Sequence, residues 1–284
     1  MRIRTALEQL ETARSDASRL SRDPLGRIHR YVEPLDAEIA GLCAAQIAYG
    51  RVDLFLPILD ALFERMEESG GPRAFVMGGL DDCDSSFWSR LSYRWTRGGD
   101  WRIFLLALRA FLKREESLKE AFETRWRACE SIETIVGEIV ESLRSEALRV
   151  TGSDALSRGT RYFLVSPSGG SACKRWMLYL RWMARPADGV DLGLFELPAS
   201  ELVMPVDTHV LRIGQFLGLT RRKDASWKTA VDITSSLKSL DPSDPTRFDF
   251  AIAHVGISSG CTGKRGLPAC EGCAIREICR APKR

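Results

Sequence analysis

Residues 204–210, Met204-Pro205-Val206-Asp207-Thr208-His209-Val210, stand immediately before an apolar segment that ends near Leu219. Asp207 falls where that helix begins, which is the place of an N-cap. There a carboxylate accepts backbone N–H groups that the first turn leaves unpaired. The same position keeps the carboxylate ionised, because the helix dipole and the N–H donors both lower its pKa. An ionised carboxylate so held can stabilise a developing positive charge or take a proton. Capping and catalysis are compatible in one residue.

Helical spacing recurs on both sides of this stretch. Residues 36–49 are alanine- and leucine-rich, and residues 52–66 carry Leu54, Ile58, Leu62 and Met66 on one stripe. Segments 101–112, 132–148, 174–183, 227–240 and 248–257 repeat the pattern. No run alternates strictly enough for a strand, and there is no internal repeat. The predicted fold class is all-α. Gly70, Gly71 and Pro72 end one helix, a loop follows around Gly78, Gly79 and residues 81–84, and residues 151–159 form a polar connector. Ser166-Pro167-Ser168-Gly169-Gly170 reads as a tight turn before a helix, and residues 185–200 as a second loop.

With 284 residues, 44% hydrophobic and 28% charged, the chain has the composition of an ordinary globular protein. Disordered, collagen-like and membrane-spanning classes are excluded, since no window approaches the ~20 apolar residues of a membrane helix. The first twenty residues carry charges where a signal peptide needs an apolar core, so a cytoplasmic protein is expected. A net charge of +3 is too small to establish a nucleic-acid partner. Function has to be read from sites.

Cys43, Cys83, Cys129 and Cys173 are scattered singly and read as small buried hydrophobes. Cys261, Cys270, Cys273 and Cys279 are clustered with the spacing Cys-x8-Cys-x2-Cys-x5-Cys. Without an export signal, such a cluster points to a metal rather than to disulfides. Four thiolates suit a [4Fe–4S] cluster or tetrahedral zinc. A single Cys-x2-Cys knuckle with longer, unequal arms fits the cubane better than a zinc ribbon. Between the first two cysteines, Lys264 and Arg265 are placed to grip phosphates, and the tail adds Arg276, Arg280, Lys283 and Arg284.

Residues 205–210, PVDTHV, followed by this cysteine pattern, resemble the helix-hairpin-helix (HhH-GPD) DNA glycosylases of base-excision repair. The endonuclease III branch carries a VDTH aspartate and a C-terminal iron–sulfur loop, with a shorter first arm than the eight residues here. Ala44-Ala45-Gln46 is similar to that branch's SAQ turn, whose glutamine fills the space of an extruded base. Longer stretches, HRYVEPLDAEIAGLCAAQIAYGR, SYRW, GSACKRWMLYLRWMARPADGVDLGLFELPASELVMPVDTHV and DPTRFDFAIAHVGI, resemble a little-characterised bacterial family within that superfamily.

The resemblance implies two helical domains with the active site in the cleft between them. Residues 1–45 are expected as an arm packing with the C-terminal domain, residues 46–200 as a helical barrel with the hairpin near 166–174, and residues 201–284 as the aspartate helix and cluster domain. The family's LPGxG–Lys string is missing from its usual place, where position 189 is a glycine. Its best substitute is the 166–171 turn, with Gly169, Gly170 and Ser171 approaching a phosphate, Arg175 beside them and Lys174 just inside the next helix. Lys174 and Asp207 are thirty-three residues apart, a long spacing similar to that of the archaeal 8-oxoguanine glycosylase branch. Lys174 is read either as the nucleophile, desolvated by Trp176, Tyr179 and Trp182, or as a phosphate contact. Trp176, Trp182 and Phe195 are candidates to stack a flipped base, though aromatics at helical spacing usually pack in the core. Tyr93 and Arg94 are candidates to face DNA, and His209 is expected to pack behind Asp207.

The implied function is a DNA glycosylase acting on a damaged, oxidised base in double-stranded DNA. AP lyase activity through a Lys174 Schiff base and Asp207 is expected with it. The alternatives are a monofunctional glycosylase with Asp207-activated water, a non-catalytic iron–sulfur DNA-binding module, and an RNA- or nucleotide-directed enzyme. A monomer associated with the nucleoid is expected.

Overall fold

Proline and short polar side chains start most helices of the computed structural model, which describes residues 2–12, 20, 23–258, 261, 263–266 and 268–282. After α1 (Arg2–Thr12), prolines at the first turn open α2 (Pro24–Ile28), α3 (Pro34–Ile47) and, beyond α4 (Val52–Glu68), α5 (Pro72–Met77). Proline is tolerated there because its missing N–H would be unpaired anyway. Side-chain caps from Asp84, Ser117, Ser131 and Ser157 then start α6 (Ser85–Arg90), α8 (Leu118–Cys129), α9 (Ile132–Thr151) and α10 (Arg158–Phe163). Between them, α7 (Gly98–Leu112) follows a two-residue turn at Arg94-Trp95. The series ends with α11 (Lys174–Ala184), α12 (Thr208–Leu217), α13 (Trp227–Lys238) and α14 (Asp249–Ser258). Helix accounts for 64% of the described residues and no strand occurs among them, so the all-α expectation holds. No helix among them is long and apolar enough to cross a membrane.

Two helices are almost wholly enclosed, α3 because it is apolar nearly all round and α11 although it carries Arg175 and Arg181. In α3 every residue from Ala37 to Ile47 is buried, and in α11 every residue from Arg175 to Ala184. They pack on each other so closely that a Cβ at Gly41 would lie 2.2 Å from the Met183 methyl. Around this pair, α7 packs on α9. The 185–200 loop then runs back along α11, with Leu192 and Phe195 N–H groups donating to the Trp182 and Met183 carbonyls. Its side chains Phe195 and Leu197 are buried in the same core.

Buried apolar side chains form two clusters. The larger runs from Leu25 to Leu202 and takes in Trp227. The smaller joins Leu7 and Leu10 of α1 to residues of α12, α13 and α14 and to Ile275. Among the described residues, α1 packs with the C-terminal part, while α2 and the first part of α3 contribute to the larger core.

Polar groups tie the clusters together. Arg181 of α11 pairs with Asp191 at 3.0 Å and with Asp249 of α14, while Arg185 reaches Asp191, Asp188 and, at 2.9 Å, Asp244. Burial opposes the charge on Arg181, but Asp191 and Asp249 more than offset it and hold its pKa above the ordinary arginine value. Among the single cysteines, Cys43 and Cys173 are buried as expected, but Cys83 is half-buried and Cys129 exposed. Cys83 sits at a polar turn, donating to the Gly79 carbonyl and accepting from Arg65, and Cys129 ends the mostly polar helix α8.

Candidate active site

The turn before α11 is built from its sequence. The Ser166 hydroxyl accepts the Ser168 N–H, a single 3-10 turn follows over Pro167–Gly169, and Gly170 takes the left-handed conformation at φ 77°. The Gly170 carbonyl accepts the Trp227 N–H at 2.9 Å and Ser171 bridges Ser226, so the turn is fastened to the start of α13. Ser168, Gly169 and Gly170 are exposed, and a Cβ on either glycine would meet nothing within 4 Å. The turn therefore presents bare backbone to the outside.

One turn later, Lys174 points at the end of α3 and the start of α12. Its Nζ donates to the Ala48 carbonyl at 3.0 Å and lies 3.5 Å from Asp207 Oδ2. Both side chains keep 27% of their surface exposed, so the pair is reachable from outside. Asp207 caps α12 as expected, its Oδ1 accepting the N–H groups of His209 at 2.8 Å and Val210 at 2.9 Å. Burial pushes the Asp207 carboxyl up, but Lys174, the two N–H donors and the His209 charge together hold it below the ordinary carboxylate range. A fixed carboxylate thus faces an amine: the first can accept a proton or stabilise a cation, the second can attack carbon once deprotonated.

Two carboxylates that the sequence reading passed over belong to these surroundings. Asp23, whose side chain caps α2, and Asp249 of α14 both feel the charge of Lys174. Asp23 precedes the stretches that carry the resemblance, and Asp249 lies within DPTRFDFAIAHVGI without standing out there. Their signal was only that each is an acid beside an apolar helix start.

Other expected site residues are placed differently. Arg175 does not face outward: it is buried, donates to the Gln46 and Tyr162 carbonyls, and stacks 3.7 Å from the Tyr162 ring centroid. Burial lowers its pKa to about 10. Gln46 is fully buried within α3, with neither side-chain polar atom hydrogen-bonded, and so does not present itself to DNA in this conformation. Trp176, Trp182, Tyr179 and Phe195 are core residues, and none lines an open surface. Trp176 donates its indole N–H to the Phe163 carbonyl at 3.2 Å, which satisfies it inside. His209 is half-buried, with Nδ1 3.3 Å from the Arg212 guanidinium. Tyr93 is buried, while Arg94 is exposed.

The cysteine loop docks on α12. The Arg280 N–H donates to the Phe216 carbonyl at 2.8 Å, and Ile275 is buried in the smaller core. Cys261, Cys270, Cys273 and Cys279 are all half-buried and free of disulfides. Burial pushes the Cys273 thiol up, the Ile275 N–H opposes it, and the thiols of Cys279, Cys261 and Cys270 push it further. The other three thiols are therefore within electrostatic reach of Cys273. An N–H from Ala281 reaches Cys279 Sγ at 3.5 Å, the kind of contact that favours thiolate. As placed, no three His, Cys, Asp or Glu side chains among the described residues converge to hold an ion. Lys264 is exposed, whereas Arg265 is half-buried and donates to the Arg276 carbonyl at 3.1 Å. Lys283, Arg284 and the side chain of His254 lie outside the described residues.

The sequence model of a family described as "Protein of unknown function (DUF2400)" matches residues 23–258. The chain belongs to the DUF2400 family. No curated protein and no solved structure matches it. The DUF2400 match takes in Lys174, Asp207, Asp23 and Asp249 and ends before the first cysteine of the C-terminal cluster.

Proposed function

We propose that this DUF2400 chain is a DNA glycosylase of the helix-hairpin-helix kind, with AP lyase activity, acting on a damaged and oxidised base in duplex DNA. The observation that carries the reading is the meeting of Lys174 Nζ and Asp207 Oδ2 at 3.5 Å, across thirty-three residues of sequence, with both side chains still reachable. The exposed backbone at Gly169 and Gly170, one turn before Lys174, supports it by offering a close approach to a phosphate.

In this reading the damaged nucleotide leaves the stack and its sugar enters beside Lys174. The ionised Asp207 stabilises positive charge developing at C1′ as the base departs, and it takes a proton from the attacking amine. Lys174 forms the bond to C1′, and β-elimination then cuts the strand. A second reading also has an observation behind it. Lys174 already donates to Ala48, which suits a fixed cation, with Asp207 activating a water in a monofunctional glycosylase.

The four C-terminal cysteines fit a [4Fe–4S] cluster in kind, being an all-thiol set with N–H donors at two sulfurs, and zinc is the alternative. Its part is to staple the 261–282 loop against α12 and to present Lys264 to phosphates. Nucleoid association follows from the DNA substrate.

The test is incubation with end-labelled duplexes carrying 8-oxoguanine, uracil, thymine glycol or an abasic site, with and without borohydride. Cleavage and covalent trapping on one lesion, both lost in Lys174→Gln, are expected. Base release without trapping selects the monofunctional reading, and trapping that survives Lys174→Gln refutes the nucleophile. Binding without base release on any duplex points to a non-catalytic module. About four iron and four acid-labile sulfide per chain are expected, and zinc in their place overturns the cluster.

A further inference from the structure

The turn at Tyr93-Arg94-Trp95-Thr96 joins an exposed indole, unpaired arginines and a backbone held in an unusual conformation. Tyr93 and Thr96 exchange both backbone hydrogen bonds at 2.9 Å, leaving Arg94 and Trp95 at the tip. Arg94 sits at φ 47°, a left-handed conformation that a long side chain adopts only where the surroundings impose it. Trp95 is 43% exposed, while the other tryptophans are buried or, in Trp126, half-buried. The Arg158 guanidinium lies 4.6 Å from the Trp95 ring centroid and that of Arg94 5.8 Å. Among the described residues no ion pair engages Arg94, Arg97, Arg158 or Arg161, all of which are exposed.

The tip is rigidly mounted beside the candidate active site. The Tyr49 hydroxyl donates to the Tyr93 carbonyl at 2.8 Å, and the Tyr93 hydroxyl accepts the Arg51 N–H at 3.1 Å. A Cβ on Gly50 would lie 2.6 Å from an Arg94 guanidinium nitrogen, so the arginine rests on bare backbone. Gly50 is two residues from Ala48, whose carbonyl Lys174 binds. The buried Asp100 accepts from the Arg97 N–H, the Ser157 hydroxyl and the Thr160 N–H, which locks the start of α7 to the start of α10 and sets Arg158 beside Trp95.

We propose that this turn is the surface on which a DNA strand seats next to Lys174, with Trp95 stacking on a base and Arg94 and Arg158 holding the neighbouring phosphates. The inference rests on the reading of the protein as DNA-directed and names the face that takes the strand. An exposed aromatic with cations beside it is what strand binding requires, because every base offers a π-face and every linkage a negative charge. An acidic peptide would use the arginines but gain nothing from the indole.

The experiment follows binding by fluorescence anisotropy of labelled duplex and single-stranded DNA, together with intrinsic tryptophan emission, using the full chain. Trp95→Ala is expected to weaken binding about tenfold. Trp95→Phe restores most of the affinity while abolishing the DNA-dependent quenching. The double variant Arg94→Gln/Arg158→Gln is expected to lower the slope of log K against log salt by about 2. Arg158→Gln, on a helix surface, keeps the test open should Trp95→Ala fail to fold. Unchanged affinity, quenching and salt slope in these variants overturn the proposal even where the wild type releases a base. Conversely, the expected losses in a protein that releases no base keep this face and overturn the glycosylase reading. Quenching by polyglutamate but not by DNA sinks the strand assignment.

Discussion

Asp207 does two jobs with its two oxygens. Oδ1 holds the first N–H groups of α12 and Oδ2 faces Lys174, and both contacts favour the ionised form. A carboxyl whose folded pKa lies below its unfolded value of about 3.9 contributes stability that is fully present above that value. That contribution is lost as pH falls through the folded pKa. Asp207→Asn keeps a capping side chain and removes only the charge. Its Tm is therefore expected to lie below that of the wild type at pH 7, with the gap closing below about pH 4. A gap that widens in acid would show that the charge is not what the fold favours. The Lys174–Asp207 pair was legible because both residues stand in recognisable surroundings. The fate of Arg175 was not. Adjacent helix positions point about 100° apart, so one cation reaches Asp207 while the next is driven into the core. There Tyr162 and two carbonyls compensate it. Gln46 escaped for a related reason, since one amide in an apolar helix is carried inward by its neighbours.

At the scale of elements, the helices with a broad apolar stripe were readable, and their observed limits differ from the expected ones by a few residues at the ends. The helix α8 was missed because its buried side is narrow, only Leu118, Ala121, Phe122 and Glu123, amid many charges. The helix α1 was missed because its apolar residues find their partners far away in sequence. The turn ahead of α11 was anticipated from its glycines, and only one of them is there for its backbone. Gly170→Ala is expected to lower stability by about 1 kcal/mol, because φ 77° strains any side chain. Gly169→Ala, with open space around it and no left-handed backbone, is expected to change stability by less than about half of that. Urea unfolding of the two variants side by side measures the difference. Equal losses would mean that the turn needs both glycines for a reason other than conformation.

For the whole molecule, the ionic seam between the two clusters is the feature least visible in the sequence, since its members come from two separate stretches, 181–191 and 244–249. Asp191 is completely buried, and Arg181 is its partner as well as that of Asp249. Arg181→Ala takes from Asp249 its ion-pair partner and leaves Asp191 with Arg185 alone, so unfolding is expected to become easier by about 3–5 kcal/mol. Arg181→Ala with Asp191→Ala and Asp249→Ala together is expected to recover part of that loss. Denaturant midpoints decide it, and a single variant as stable as the wild type would mean that the seam is wet. A different consequence belongs to α1. Among the described residues, Leu7 and Leu10 belong to a buried cluster whose other buried members run from Ala172 to Ile275. On a ribosome adding about 5–20 residues per second, the wait from Leu10 to Phe248 is roughly ten to fifty seconds. Throughout that interval the larger core can close while this helix waits with its apolar stripe uncovered. In nascent chains stalled ahead of Phe248, α1 should be open to protease and to any holdase at the exit tunnel, and it should become protected once the last third has emerged. The amino-terminal helix would thus be the last part of the molecule to settle.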